Sequence, residues 1–186
     1  NNSNVDDVEI KLTKEQQDVY NKLIKFTKSS NNLSNEILLV GYAGTGKTTL
    51  VKKLLHILDE KKISYKLAAP TGRAAKRITE STGKYAETLH RLLEFNPQIM
   101  GFSHNEQNAL KLDVLIIDEA SMIDAFLMHS LLKAMPQRGH LILLGDVDQL
   151  PSVGAGNVLC DLIDSGICAV TRLAHIFRQA QDSLII

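Results

Sequence analysis

Tryptophan is absent from this chain of 186 residues, and cysteine occurs only twice, at Cys160 and Cys168. The cysteines have neither metal-site spacing nor a disulfide framework, so we expect two reduced, buried thiols in a cytoplasmic protein. No apolar run approaches the roughly 20 residues of a membrane-spanning helix, and we expect neither a secretory signal nor a membrane partner. With 44% hydrophobic residues, the chain has enough apolar side chains for one globular core.

Net charge is also lacking, because 21 basic residues balance 21 acidic ones, but the two signs are unevenly distributed. Residues 47–91 contain 11 Lys and Arg against 4 Asp and Glu, whereas residues 92–186 contain 5 against 11. A basic segment of this kind is typical of a surface that binds a polyanion. A solvated helix surface has the same composition, so both interpretations stay open.

Both ends of the chain favour a piece of a longer protein. The first residue is not Met, and the apolar sequence SLII stands at the end, where we expect it to be buried by chain that follows. Residues 1–11 are polar, and we expect them to be disordered.

Short apolar runs alternate with stretches of helical periodicity, and this pattern predicts an α/β fold. We expect a parallel sheet flanked by helices on both faces, because apolar strands of this kind are buried on both sides. The predicted strands are EILLV, SYKLAA, DVLII, HLILLG and AVTRL. The predicted helices are residues 13–28 and 47–60 and the segments TGRAAKRITE, ETLHRLL, DAFLMHSLLKAM and NVLCDLIDSG.

The segment GYAGTGKT fits the phosphate-binding pattern G-x-x-x-x-G-K-[ST] at every fixed position, between a predicted strand and a predicted helix. Its backbone N–H groups and the helix N-terminus are expected to surround phosphate oxygens. Lys47 would contact the terminal phosphates, and the Thr48 hydroxyl would bind Mg²⁺. The predicted nucleotide-binding residues of this loop are Gly41, Ala43, Gly44, Thr45, Gly46, Lys47, Thr48 and Thr49.

Two adjacent carboxylates, Asp118 and Glu119, follow the predicted strand DVLII. Ligands of open α/β sheets bind at the carboxyl ends of the strands, so Asp118 is expected to hold Mg²⁺. Glu119 is placed to orient or deprotonate an attacking water. The alternative is an acidic pair that caps the next helix.

Taken together, the segments resemble the first motor domain of superfamily 1 DNA helicases. The resemblance is to the RecD-like branch, which includes the exodeoxyribonuclease V alpha subunit, its stand-alone relatives and the helicase domains of conjugative relaxases. It extends over residues 12–186 and rests on an ordered series of motifs. The series is LTKEQ, GYAGTGKTT, AAPTGRAAKRI, TLHRLL, LIIDEASMID, LLGDVDQLPSVGAG and IFRQA.

The resemblance implies further roles at the nucleotide. Gln16 would contact the adenine edge, although Thr13 and Gln16 also fit a helix-capping box. Gln149 would sense the γ-phosphate, and without the resemblance its segment is an ordinary Gly/Pro-rich connection. Arg178 would stabilise transition-state charge from the domain junction, as an arginine finger does. The alternative for Arg178 is a surface arginine near a chain end.

The resemblance also implies contacts with single-stranded DNA. The contacting residues would be Pro70, Thr71, Gly72, Arg73, Thr88 and His90. Lys76 and Arg77 continue the basic segment and agree with a groove that follows phosphates, or they form a solvated helix face. A short hairpin within residues 95–111 would correspond to the wedge with which relatives split a duplex.

The expected architecture is a RecA-like P-loop NTPase domain over residues 12–186, with ATP and Mg²⁺ as cofactors. We expect a motor that moves 5′→3′ on single-stranded DNA or at a duplex junction, with a second motor domain that is absent here. Without that domain, the 186 residues are expected to have weak activity or none. The parent would act alone or with subunits of a nuclease complex, in DNA repair and recombination. Alternatives are a P-loop switch or kinase that does not act on DNA, and a non-catalytic module that binds nucleotide and a partner.

Overall fold

The computed structural model describes residue 12 and residues 14–28, 35–42, 46–146 and 168–174. The helices are α1 (Lys14–Lys28), α2 (Gly46–Glu60), α3 (Gly72–Thr82), α4 (Leu89–Leu92) and α5 (Ala125–Ala134), with a 3₁₀ turn at Ala120–Met122. The strands are β1 (Asn35–Tyr42), β2 (Tyr65–Ala69), β3 (Ala86–Thr88), β4 (Phe95–Asn96), β5 (Gly101–Phe102), β6 (Val114–Ile117), β7 (His140–Asp146) and β8 (Cys168–Ala174). The predicted helix NVLCDLIDSG and residues 1–11 lie outside these ranges.

Six of the strands form one sheet in the order β3-β2-β6-β7-β1-β8, and every pairing in it is parallel. The register places the carboxyl ends of the strands at one edge, with Gly41 opposite Gly145 and Ile117 opposite Leu143. The parallel sheet that the alternating pattern predicted is therefore confirmed. Because β7 lies between β1 and β6, the loop after β1 and the acids after β6 are separated by one strand at that edge.

The two faces of the sheet are buried in separate apolar cores. On β6, Val114 and Ile116 pack with α1, α2 and α3, whereas Leu115 and Ile117 pack with α4 and α5. All four side chains are 0% exposed. Side chains of this size contribute about 1.5–3 kcal/mol each when fully buried, so the centre of the sheet is a rigid support for the residues that follow β6.

The segment ETLHRLL differs from the prediction of a single short helix. Ala86–Thr88 is a strand that pairs with β2 at the edge of the sheet, and only Leu89–Leu92 is helical. The reason is that Thr88 ends the strand and begins the helix, since its side chain accepts a hydrogen bond from the Arg91 N–H at 3.2 Å. The sheet therefore has six strands in the described residues instead of the five that the sequence predicted.

A two-stranded antiparallel hairpin, β4–β5, lies within residues 95–111. Its two phenylalanines, Phe95 and Phe102, contact each other with ring centroids 5.3 Å apart, and both contact His90 of α4. Phe102 also stacks on Phe126 of α5 at 5.8 Å. This aromatic cluster attaches the hairpin to the face of the domain that carries α4 and α5.

A polar cluster joins the C-terminal ends of α2 and α3. Asp59 near the end of α2 accepts hydrogen bonds from the Tyr65 hydroxyl at 3.0 Å and from Lys84, whose Nζ lies 2.9 Å away. Burial would raise the pKa of Asp59, but the bonds from Lys84 and Tyr65 outweigh it and hold the pKa below its usual value. Lys84 follows Gly83, which ends α3 with a left-handed backbone at φ 71°.

Candidate nucleotide and nucleic-acid site

Two groups of opposite charge meet at the carboxyl edge of the sheet. Nζ of Lys47, in the first turn of α2, lies 2.5 Å from Oδ2 of Asp118 at the end of β6. The two residues are 71 positions apart in sequence, and the Asp118 side chain is 6% exposed. The fold thus brings together the cation predicted for terminal phosphates and the carboxylate predicted for Mg²⁺.

The start of α2 supplies donors beside this pair. Gly46 is its first residue, and Lys47, Thr48 and Thr49 complete the first turn, each partly exposed. The first four N–H groups of a helix have no partner within the helix and attract anions. Gly41 lies in β1, opposite Gly145 and Ala174, whereas Ala43, Gly44 and Thr45 lie outside the described residues.

The backbone around the two acids is fixed by the neighbouring strand. The Asp118 N–H donates to the Ala68 carbonyl of β2 at 3.1 Å, which extends the β2–β6 pairing by one residue. Glu119 then turns sharply, with φ 52° and ψ 43°. This left-handed conformation is uncommon for a residue other than glycine. Because of this turn, the side chains of Asp118 and Glu119 leave the backbone in different directions.

The alternative of an acidic pair that caps the next helix is wrong. Glu119 precedes the 3₁₀ turn but makes no capping bond with its side chain. Helix α5 is capped by Asp124, which accepts from the Leu127 N–H at 2.8 Å. Asp118 contacts Lys47, and Glu119 Oε1 lies 3.4 Å from Nη2 of Arg77 on α3. Both acids are therefore directed to other groups.

Asp118 and the Thr48 hydroxyl are groups at this edge that could take part in a magnesium site. Among the described residues, no group of three or more His, Cys, Asp or Glu side chains could hold a metal ion. Mg²⁺ is usually held by one or two carboxylates together with substrate phosphates and water. Asp118 and the Thr48 hydroxyl match that requirement.

The predicted DNA-contacting threonines both begin helices. Thr71 Oγ1 accepts from the Ala74 N–H at 3.2 Å and starts α3, and Thr88 does the same for α4. Each lies at the carboxyl end of a strand. Thr71 is separated from the end of β2 by Pro70, and Thr88 is the last residue of β3. Each hydroxyl accepts the capping bond, so its hydrogen can still donate to a phosphate.

The first residues of α3 are accessible. Gly72 and Arg73 are exposed, and a Cβ built on Gly72 would meet no atom within 4 Å. The protein itself therefore does not require glycine there. Further along the helix, Lys76 pairs with Glu80 at 3.8 Å within α3, which is typical of a solvated helix face. Arg77 instead reaches out of the helix to Glu119.

Four predicted site residues remain, and two of them lie within the described residues. His90 is exposed and contacts the aromatic cluster of the hairpin. Gln16 is buried at 8% exposure on α1, and Thr13, its predicted capping partner, lies outside the described residues. Gln149 and Arg178 also lie outside them. The roles predicted for these residues stay predictions.

The contact between Arg77 and Glu119 has no signal in the sequence, because only the pairing of β2 with β6 brings α3 beside the acids. The capping roles of Thr71, Thr88 and Asp124 had a signal in the sequence. Each is a Thr or Asp directly before a helical segment, which is a common helix start.

A family model described as "AAA domain" matches residues 27–155, which is well over half of the chain. The chain belongs to the AAA domain family. The AAA domain match covers β1 through β7 and includes both the Lys47–Asp118 pair and the start of α3.

Curated relatives of this AAA domain confirm the resemblance to RecD-like helicases. The ATP-dependent RecD2 DNA helicase of Deinococcus radiodurans is 42% identical over 150 residues, which cover 81% of this chain. The RecBCD enzyme subunit RecD of Mycolicibacterium smegmatis is 41% identical over 174 residues and covers 79%. The chain spans only 20% and 31% of the length of these two relatives.

A solved structure supports the fold of this AAA domain. The Pif1 helicase from Candida albicans superposes with a TM-score of 0.61, covering 92% of this chain and 42% of that chain, at 24% sequence identity. The predicted RecA-like P-loop fold is confirmed. No helix among the described residues is both long and apolar enough to cross a membrane.

Proposed function

We propose that this chain is the first motor domain of an ATP-dependent DNA helicase, which couples ATP hydrolysis to movement along single-stranded DNA. The observation that best supports the proposal is the shared location of two kinds of site at one sheet edge. The Lys47–Asp118 pair lies at the start of α2 and the end of β6, and the starts of α3 and α4 follow β2 and β3. A relative named as an ATP-dependent DNA helicase is 42% identical to this chain over 150 residues.

The residues around the pair have distinct tasks in the proposed hydrolysis. Lys47 binds the terminal phosphates as a point charge, and Thr48 and Asp118 hold Mg²⁺, which neutralises charge that develops on the phosphate oxygens. Glu119 orients the attacking water and accepts its proton. Gln149 and Arg178 stay in the proposal as γ-phosphate contacts. The covalent demands on the protein are small, so positioning and charge determine the rate.

DNA would lie across the starts of α3 and α4. Exposed backbone at Gly72, the hydroxyls of Thr71 and Thr88 and the charge of Arg73 fit a phosphate backbone. Movement 5′→3′ and a second motor domain that closes over the nucleotide enter the proposal from the family resemblance alone. Subunits of a nuclease complex enter it from a relative that is named as a RecBCD enzyme subunit. DNA repair and recombination in the cytoplasm are the corresponding setting.

The test is ATP turnover by the longer protein that we expect to contain this chain, with and without single-stranded DNA. We expect strong stimulation by DNA, and its loss in Lys47→Ala and Glu119→Gln. Lys66→Ala is a matched control, because it removes a cation whose partner, Glu87 at 3.5 Å, belongs to the β2–β3 pairing. Turnover that DNA leaves unchanged would favour a P-loop switch or kinase.

A further inference from the structure

Arg77 connects the helix proposed to bind DNA with the acid proposed to activate water. Its guanidinium Nη2 lies 3.4 Å from Glu119 Oε1, across the junction between α3 and the end of β6. The connection is short because α3 follows β2 and Glu119 follows β6, and these neighbouring parallel strands are about 4.8 Å apart. No other cation of α3 forms an ion pair outside that helix among the described residues.

The backbone of Glu119 is held on both sides, whereas its side chain has this one described ion-pair partner. The Asp118 N–H bonds to Ala68, and the Met122 N–H bonds back to the Glu119 carbonyl at 3.0 Å. The Glu119 carboxylate makes no capping bond. Among the described residues, the guanidinium of Arg77 is therefore the ion-pair partner that draws the Glu119 carboxylate toward α3.

Arg77 is also within reach of a DNA phosphate. It stands four residues after Arg73, so both side chains project from the same side of α3. The Arg77 side chain is 64% exposed, while that of Glu119 is 23% exposed. A single contact with an exposed partner is weak, whereas arginine binds phosphate through two parallel charge-assisted bonds. A phosphate on this face of α3 would therefore bind the Arg77 guanidinium more strongly than Glu119 does and would displace Glu119.

We infer that Arg77 is a positioning residue that makes hydrolysis depend on DNA. Without DNA, Arg77 holds the Glu119 carboxylate toward α3. Arg77 then competes with the attacking water for the carboxylate oxygen of Glu119. A DNA phosphate takes Arg77, and the released carboxylate turns to the attacking water. The inference rests on the proposed function and adds to it a route from the DNA contact to the water-activating acid.

The experiment measures ATP turnover of the longer protein, with and without saturating single-stranded DNA, for the wild type, Arg77→Ala and the control Lys66→Ala. We expect Arg77→Ala to raise the DNA-free turnover number about two- to five-fold, or roughly 0.4–1 kcal/mol at ~1.36 kcal/mol per tenfold. Turnover at saturating DNA should stay within about two-fold of wild type, so the stimulation ratio falls. Lys66→Ala should leave both rates unchanged.

A double variant shows whether Arg77 acts through Glu119. In a Glu119→Gln background, Arg77→Ala should no longer change the DNA-free rate, because the group that it restrains is gone. A DNA-free rate that Arg77→Ala lowers or leaves unchanged would overturn the inference, even if more DNA is then needed for half-maximal stimulation. That outcome differs from failure of the proposed function, in which the wild type itself shows no stimulation.

Discussion

At the scale of single residues, one ion pair in this domain has a structural role and a proposed chemical role. Lys47 and Asp118 neutralise each other in a site where Asp118 is nearly buried, and a buried carboxylate without a partner would be costly. Phosphate and Mg²⁺ would offer each group a new partner of the right sign. In the proposed function, the same pair would therefore both stabilise the edge of the sheet and favour a ligand that has charges of both signs.

A substitution at Gly72 should change the stability of the fold and the affinity for DNA in opposite directions. A methyl group there meets no protein atom, and the backbone of Gly72 does not have a positive φ, so Gly72→Ala should raise the free energy of unfolding by about 0.4–1 kcal/mol. The same methyl group would obstruct close approach of a DNA backbone, so affinity for single-stranded DNA should fall. Denaturant unfolding and fluorescence anisotropy measure the two effects. Gly83→Ala is the contrasting variant, because φ 71° makes it destabilising without a change in DNA contact.

Unchanged DNA affinity in a stable Gly72→Ala protein would show that this backbone is not approached by DNA. Lower stability would contradict the local geometry instead.

At the scale of elements, the two predicted DNA motifs are helix starts that follow neighbouring strands. Thr71 begins α3 after β2, and Thr88 begins α4 after β3. A capping hydroxyl and unpaired N–H groups lie together at such a start, which attracts anions. The structural interpretation of these threonines and the DNA-binding one are therefore compatible, and an alanine substitution alone cannot distinguish them.

A comparison of Thr71→Ala with Thr71→Asp distinguishes the two. Alanine removes the cap and should lower the free energy of unfolding by about 1 kcal/mol. Aspartate caps as well as threonine and is favoured at a helix N-terminus, so stability should stay within about 0.5 kcal/mol of wild type. Its charge would repel a phosphate, so DNA affinity should fall most in Thr71→Asp. If that variant binds DNA as tightly as wild type, Thr71 contacts no phosphate.

The elements also show what the sequence could predict. The four apolar residues of β6 are buried on both faces of the sheet. Such an apolar run predicts a central strand from the sequence alone, even when the neighbouring strands are not known. Ala86–Thr88 has three residues and no apolar run, so only its pairing with β2 reveals it as a strand. The approach of Lys47 to Asp118 follows from two motifs at strand ends. The contact of Arg77 with Glu119 does not, because it depends on strand order and on the unusual backbone of Glu119.

At the scale of the whole molecule, both candidate sites lie on one edge of one sheet, supported by two separate cores. The acids follow β6, and the DNA motifs follow β2 and β3, which are its immediate and next neighbours in the sheet. The acids after β6 and the nearer DNA motif after β2 are therefore only one strand spacing apart.

The last prediction concerns the 186 residues alone. We expect them to bind ATP but to hydrolyse it at least about 10³-fold more slowly than the longer protein with DNA, because an arginine that completes a phosphoryl-transfer site contributes about 10³–10⁵. Arg178 is proposed as one such arginine within the chain, but the chain spans only 20% and 31% of two relatives, and we expect a further arginine and the rest of the ATP site in the remainder. Binding of ATP by the isolated chain, measured by calorimetry and abolished by Lys47→Ala, is the control that the loop is formed. Turnover by the isolated chain at the rate of the longer protein, with the same stimulation by DNA, would show that one motor domain suffices.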